Sequence, residues 1–174
     1  MEATKKAEGS KEELLALLDE FDTAMLVGLE RDGQLRARPM GLQHERLGDC
    51  DLWFVTADDT HKTAEIDRHQ HVNVCCLRTR DRAYVSLSAK AYIDRSPHEV
   101  RRLWQPSWKL WFGDEEPDDG GIVLIKLRIE RAEYWEPEGG RLRVLYAMAK
   151  AYVEGDETVE DELNPPKEID ENNE

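Results

Sequence analysis

Strand-like segments in this chain follow one another too closely for crossover helices to fit between most of them. A parallel pair needs a connection of roughly a dozen residues or more, whereas an antiparallel pair accepts a tight turn. The segments are Thr23 to Glu30, Leu35 to Leu42, Leu52 to Thr56, His71 to Arg78, Arg82 to Asp94 and Ile122 to Ile129, the last continuing toward Glu133-Tyr134-Trp135. Arg31-Asp32-Gly33-Gln34 and Gly48-Asp49-Cys50-Asp51 supply turn chemistry between the early ones. The clearest alternation is in the fifth: Val85, Leu87, Ala89, Ala91 and Ile93 face one way, and Tyr84, Ser86, Ser88, Lys90 and Tyr92 the other. That period of two marks a strand with one buried face. Six such strands predict a mainly antiparallel sheet closing into a small barrel.

Helices sit mostly at the ends of this pattern, which makes the class α+β. Ser10 is placed to cap a helix running to about Phe21, with Leu14, Leu15, Leu17 and Leu18 on its apolar side. A short helix is expected over Lys62 to Asp67. Ser96, Pro97 and Glu99 form an N-terminal signature with a capping box, and Val100, Leu103 and Trp104 recur at helical spacing until Pro106. Gly113 to Gly121 reads as a surface loop, and Leu145, Met148, Ala149 and Tyr152 predict a closing helix ended by Gly155. The organisation is then a loose arm over residues 1–9, one domain over 10–155, and a tail over 156–174.

The 174 residues carry a net charge of −14, and residues 154–174 hold ten acidic residues and one lysine, a net −9. Such a chain repels phosphate backbones and anionic lipid, so neither nucleic acid nor membrane is an expected partner. The tail has too little apolar surface to order itself and is expected to be disordered. There is no run of eighteen apolar residues and no apolar N-terminal segment, and the three cysteines (Cys50, Cys75, Cys76) make a poor disulfide framework. These features predict a cytoplasmic protein.

Against that acidity, two segments stand out. Arg36-Ala37-Arg38-Pro39-Met40 lies on one strand, so Arg36, Arg38 and Met40 share a face. Two guanidiniums about 7 Å apart can fork one phosphate. Pro39 lacks an N–H and favours a strand edge. The strand through Val55 and Thr56 leads into Thr60-His61-Lys62, where Thr60 can cap the short helix. A lysine in a first turn opposes the helix dipole, which makes more sense with an anion between. The competing reading is that Arg36 and Arg38 pair with surface carboxylates. His69 and His71 form an H-x-H pair with no third ligand placed by sequence, and solvent exposure is the expectation there. Trp104, Trp108 and Trp111 would make one aromatic stripe if the helix survived Pro106; they suit either a ligand ring or a packed core.

In their order and spacing, these segments resemble the FMN-binding split-barrel superfamily, which includes the pyridoxamine 5'-phosphate oxidases, and more closely its general stress protein branch. The resemblance rests on Arg36 to Met40, Leu52 to Thr56 with Thr60 and Lys62, Tyr84 to Ser88, Leu103-Trp104 through Trp108 to Phe112, and Ala132 to Trp135. It implies a split barrel and a homodimer with flavin sites at the interface. It also implies that Arg36, Arg38, Thr60 and Lys62 hold the flavin phosphate, with Pro39, Met40 and His61 beside them. Val55 and Thr56 would line the flavin, and Ser86, Trp108 and Trp111 would lie near it. For Ser86 and Ser88 an ordinary solvent face is the alternative. FMN is the implied cofactor, with FAD or a deazaflavin as alternatives and haem in some relatives. The true oxidases carry a basic C-terminal segment that contacts substrate. Here the end is acidic, so oxidation of pyridoxamine phosphate is not expected, and Arg141 and Arg143 are expected to cover the last helix. Flavin-dependent turnover of an unknown small molecule, with a reduced nicotinamide as possible electron donor, stands beside a non-catalytic flavin store or sensor. A barrel serving only as an interaction module, with no cofactor, is a further alternative.

Overall fold

A computed structural model describes residues 7–8, 10–113, 121–135 and 167–170. The expected closing helix, Arg141 and Arg143, the interior of the 113–121 loop and most of the acidic tail lie outside the described residues. The elements are β1 (Ala7–Glu8), α1 (Lys11–Leu18), β2 (Thr23–Leu29), β3 (Leu35–Gly41), β4 (Leu52–Ala57), α2 (His61–Ile66), β5 (His71–Arg78), β6 (Ala83–Asp94), α3 (Pro97–Leu103), a 3-10 turn (Pro106–Trp108), α4 (Lys109–Phe112), β7 (Ile122–Trp135) and β8 (Lys167–Asp170).

The six long strands pair antiparallel in the order β3-β2-β5-β6-β7-β4. Strand β4 runs along Ile122–Leu127 of β7. Between Ser88 and Ala89 the register with β7 slips from Arg131 to Ile129, so Glu130 is the extra residue of a bulge. A bulge bends and twists the strand that carries it, which lets a long strand curl. The two terminal strands, β3 and β4, are not hydrogen-bonded to one another. The result is a curled half-barrel with a seam, as the α+β split-barrel expectation requires. Pro39 sits on the edge strand β3, where its missing N–H costs no ladder bond.

The barrel interior is filled by alternate residues of every long strand. Leu26, Met40, Phe54, Val74, Leu87, Ile125 and Leu127 pack there, and Leu14, Leu17 and Leu18 of α1 close one side. A second cluster lies on the other face of β4 and β7. Trp53, Ile122 and Leu124 meet Val100, Leu103 and Trp108 from the α3 region. Strand β4 is therefore apolar on both faces, which is why it reads as a continuous hydrophobic run.

Several boundaries differ from expectation. Helix α1 stops at Leu18 rather than Phe21; Phe21 turns back into the core instead. Its cap is a complete box: Ser10 Oγ accepts from the Glu13 N–H at 3.2 Å and Glu13 accepts from the Ser10 N–H. The box expected at Ser96 forms only by half. Ser96 Oγ accepts from the Glu99 N–H, but Asp94 takes the Ser96 N–H at 2.9 Å, and Glu99 turns to Arg102. Helix α3 ends at Leu103, so the tryptophan stripe is broken as Pro106 suggested.

The acidic tail is corrected in part. Lys167–Asp170 forms a strand antiparallel to Arg131–Tyr134 of β7, and residues 7–8 of the N-terminal arm pair with it. Ile169 packs on the core, and the Lys167 ammonium lies 5.7 Å from the Tyr134 ring centre. One apolar residue and one cation finding specific partners outweigh the local composition.

Candidate functional site

The seam between β3 and β4 opens into a cleft of about 340 Å³. Pro39, Met40, Gly41 and Gln43 line it from the β3 side, and Val55, Thr56 and Ala57 from β4. Thr60 and Lys62 close one end, and Trp108, Trp111 and Phe112 cover another part of the wall. Neighbours in sequence, β3 and β4 lie at opposite ends of the pairing order, and the curl of the sheet brings their ends together here.

Lys62 is the chemically distinctive group. It is half-buried, and burial followed by the charge of Arg38 lowers its ammonium pKa. Among the described residues it makes no hydrogen bond or ion pair. Asp59 and Glu65 act on it only at longer range, and a half-buried ammonium without a direct partner is costly unless an anion meets it.

Arg38 lies close enough to Lys62 to perturb it, but its fork is engaged. Its two terminal nitrogens donate to Glu65 Oε2 and Oε1, each at 2.8 Å, and one also reaches Glu30 at 3.4 Å. Glu65, on α2, is 7% exposed. Arg36 pairs with Glu30. Carboxylate pairing of both arginines, the competing reading from sequence, is thus what the structure shows.

Thr60 occupies the N-cap position of α2 with extended backbone, but its hydroxyl does not cap. It donates to the Ala57 carbonyl at 3.2 Å, closing the turn instead. Thr63 braces the same turn by donating to the carbonyls of Asp58 and Thr60. Arg95 clamps it from outside, reaching both oxygens of Asp58 at 3.0 Å and both of Asp67 at the far end of α2.

Trp108 is buried, and its indole meets Trp53 at 6.2 Å and Trp104 at 5.6 Å, both edge to face. Trp111 is 85% exposed at the rim.

Residues 9–159 match the sequence model of a family described as pyridoxamine 5'-phosphate oxidase like. The chain belongs to this family. Among its relatives, general stress protein 26 of Bacillus subtilis is 27% identical over 124 residues, covering 69% of this chain and 84% of that protein. Protein bli-3 of Neurospora crassa is 29% identical over 111 residues, and the chain spans about half of it, 53%. Among solved structures, a protein of Jannaschia sp. CCS1 described as a general stress protein 26 superposes with a TM-score of 0.72 at 22% identity, over 91% of this chain and 96% of that one. A Nostoc punctiforme protein described as pyridoxamine 5'-phosphate oxidase-related and FMN binding gives a TM-score of 0.57 at 14% identity, over 72% of this chain and 78% of that one.

Of the site residues expected from sequence, Pro39, Met40, Val55, Thr56, Thr60, Lys62, Trp108 and Trp111 come together in the cleft. Arg36 and His61 line a neighbouring groove with Glu30, Glu65 and Arg68. Arg38 lines neither; it lies in the fork with Glu65. Ser86 does not line the cleft; its hydroxyl accepts from Asn73 on β5. Ser88 lines a shallow depression with Val27 and Asn73. His71 is solvent-facing, with Glu130 at 3.7 Å.

Sequence reasoning missed Glu65, Glu30, Gln43 and Ala57. Only Glu65 carried a local signal: it lies one helical turn after Lys62, so both share a face of α2.

Proposed function

We propose that this protein binds flavin mononucleotide in the β3–β4 cleft. The observation that carries the reading is Lys62, a half-buried ammonium with no direct hydrogen bond or ion pair, at one end of a cleft lined largely by apolar and aromatic side chains. A flavin phosphate would meet Lys62 there, with the Arg38 guanidinium, which stands beside the cleft, released from Glu65 to join it; Thr60, whose proton goes to the Ala57 carbonyl, shapes the turn next to it. The isoalloxazine would lie along Val55 and Thr56, with Trp108, Trp111 and Phe112 offering aromatic faces. The volume suits a small cofactor. The Nostoc relative's description as FMN binding supports the same ligand.

When bound, a flavin supplies hydride and electron chemistry that no side chain of the site offers. The chain's own part is to hold the phosphate, order the turn through Thr60, Thr63 and Arg95, and keep water from the buried wall at Thr56 and Trp108. The activity proposed is redox turnover of a small molecule, with a reduced nicotinamide as donor.

A homodimer belongs to this proposal. Trp111, in the lining of the cleft, and its neighbour Leu110 are 85% and 87% exposed, and a second copy would cover them and complete the flavin wall. A cytoplasmic setting also fits. The three thiols stand free, and burial pushes Cys76 up to about 12 and Cys50 up to about 11, keeping both protonated.

Equilibrium titration with FMN and with riboflavin, read by quenching of flavin fluorescence, tests the ligand. FMN binding clearly tighter than riboflavin is the expected result. Equal affinities remove the phosphate from the reading.

A further inference from the structure

The Arg38–Glu65 pair stands in tension with a phosphate site, because the guanidinium fork that would grip the ligand is already filled. We propose that Glu65 is an internal competitor of the ligand's phosphate: it holds Arg38 beside the cleft and must yield it for the anion to bind. This rests on the flavin-phosphate reading and specifies how that site sets its affinity.

Geometry comes first. Glu65 Oε1 and Oε2 each accept a 2.8 Å bond from one terminal nitrogen of Arg38. Carboxylate and phosphate use the same fork, and they cannot both take the same two N–H groups. Glu65 is held at this post by α2 itself, in which it is buried beside Thr63 and Ile66. Gly28 on β2 faces it, and a Cβ built there would stand 3.7 Å from Glu65 Oε2.

Charge points the same way. Arg36, Arg38 and Lys62 bring three positive charges, and Glu30, Glu65 and Asp59 three negative ones, so the charges balance. A phosphate monoester carries about −1.5 to −2 near neutral pH. The site undercharges its ligand. Within this proposal the competition lowers the affinity for the phosphate and favours exchange of the ligand with solution.

Replacing Glu65 by its neutral isostere acts through two routes of one sign. It loosens the hold on the Arg38 fork and raises the net charge facing the phosphate.

The test is FMN and riboflavin affinity for the wild type, Glu65→Gln, Arg38→Lys and the double variant. Glu65→Gln is expected to tighten FMN by about tenfold or more, the lower end of one charge-assisted hydrogen bond. Riboflavin affinity is expected to stay unchanged, which also shows that the variant is folded. Arg38→Lys is expected to weaken FMN more in the Glu65→Gln background than in the wild type. Weaker FMN binding by Glu65→Gln would make Glu65 a residue that aims Arg38, and unchanged binding a mere brace; either overturns the proposal. Should Glu65→Gln lose riboflavin as well, Glu65→Asp, which retains the charge but shortens its reach, is expected to tighten FMN by a smaller factor, and no gain overturns the proposal. A wild type that does not prefer FMN over riboflavin defeats the phosphate reading itself, and the competitor with it.

Discussion

Arg38 and Glu65 come from elements 27 residues apart and meet as a bidentate pair, with two 2.8 Å bonds and a carboxylate that is 7% exposed. The pair joins edge strand β3 to helix α2, one turn from Lys62. It ties the position of the proposed phosphate end to the integrity of the seam.

Removing one member of such a pair leaves the other buried and charged. Arg38→Ala is expected to destabilise the ligand-free protein by about 2–4 kcal/mol, somewhat below a fully buried pair because the arginine retains some exposure. Arg38→Ala with Glu65→Ala should recover a good part of that loss. Urea unfolding of the three proteins checks it; a double variant no more stable than Arg38→Ala would show that the charge of Glu65 is not what costs.

Lys62→Ala removes a cation that makes no direct ion pair among the described residues and feels Asp59 and Glu65 only at longer range. Stability is expected to change little or improve, because a half-buried ammonium is relieved. FMN binding should weaken by about 1.5–3 kcal/mol, with riboflavin nearly insensitive. Equal losses for both ligands would move the phosphate elsewhere in the cleft.

Trp108 and Trp111 should separate packing from binding. Trp108→Ala removes a buried ring that touches Trp53 and Trp104 and is expected to cost about 3–5 kcal/mol of stability. Trp111 is 85% exposed in the single chain, so Trp111→Ala should cost that fold no more than about 0.5 kcal/mol, and a larger, concentration-dependent loss would report the proposed dimer contact. If its ring meets the flavin, FMN and riboflavin should both weaken by about 0.5–1.5 kcal/mol, a stacking loss blind to the phosphate. Thermal melts and the same titrations read both effects.

Burial raises the Cys76 thiol from 9.0 to about 12. A raised folded pKa contributes stability that is complete below the unfolded value and is lost as pH rises toward the folded one. The contribution of Cys76 should therefore fade between about pH 9 and 12. Cys76→Ala is expected to lose less stability than wild type across that window, measured by unfolding at stepped pH. Parallel pH profiles for the two proteins would refute the assignment.

Much of the barrel could be read from the chain. The alternation of Val85, Leu87, Ala89 and Ala91 survives intact in β6, and Pro106 ends the α3 region where a proline should. What stayed hidden is tertiary. Ser10 and Ser96 open the same S-x-x-E spacing, yet only Ser10 completes its box, because Asp94 reaches the Ser96 N–H first. Thr60 sits at a cap position and spends its hydroxyl on Ala57. Nothing local links Arg38 to Glu65, since the contact exists only once the sheet has curled. The strand at Lys167–Asp170 was invisible for the opposite reason: charge density argued against order, and one isoleucine on the core outweighed it.

The most direct measurement is equilibrium dialysis of the purified protein against FMN, followed by the flavin absorbance on each side of the membrane. Excess flavin on the protein side, approaching one per chain at saturation and displaced poorly by riboflavin, is the expected result. FMN distributed equally across the membrane, at protein concentrations that saturate a micromolar site, would contradict a flavin site at the β3–β4 seam.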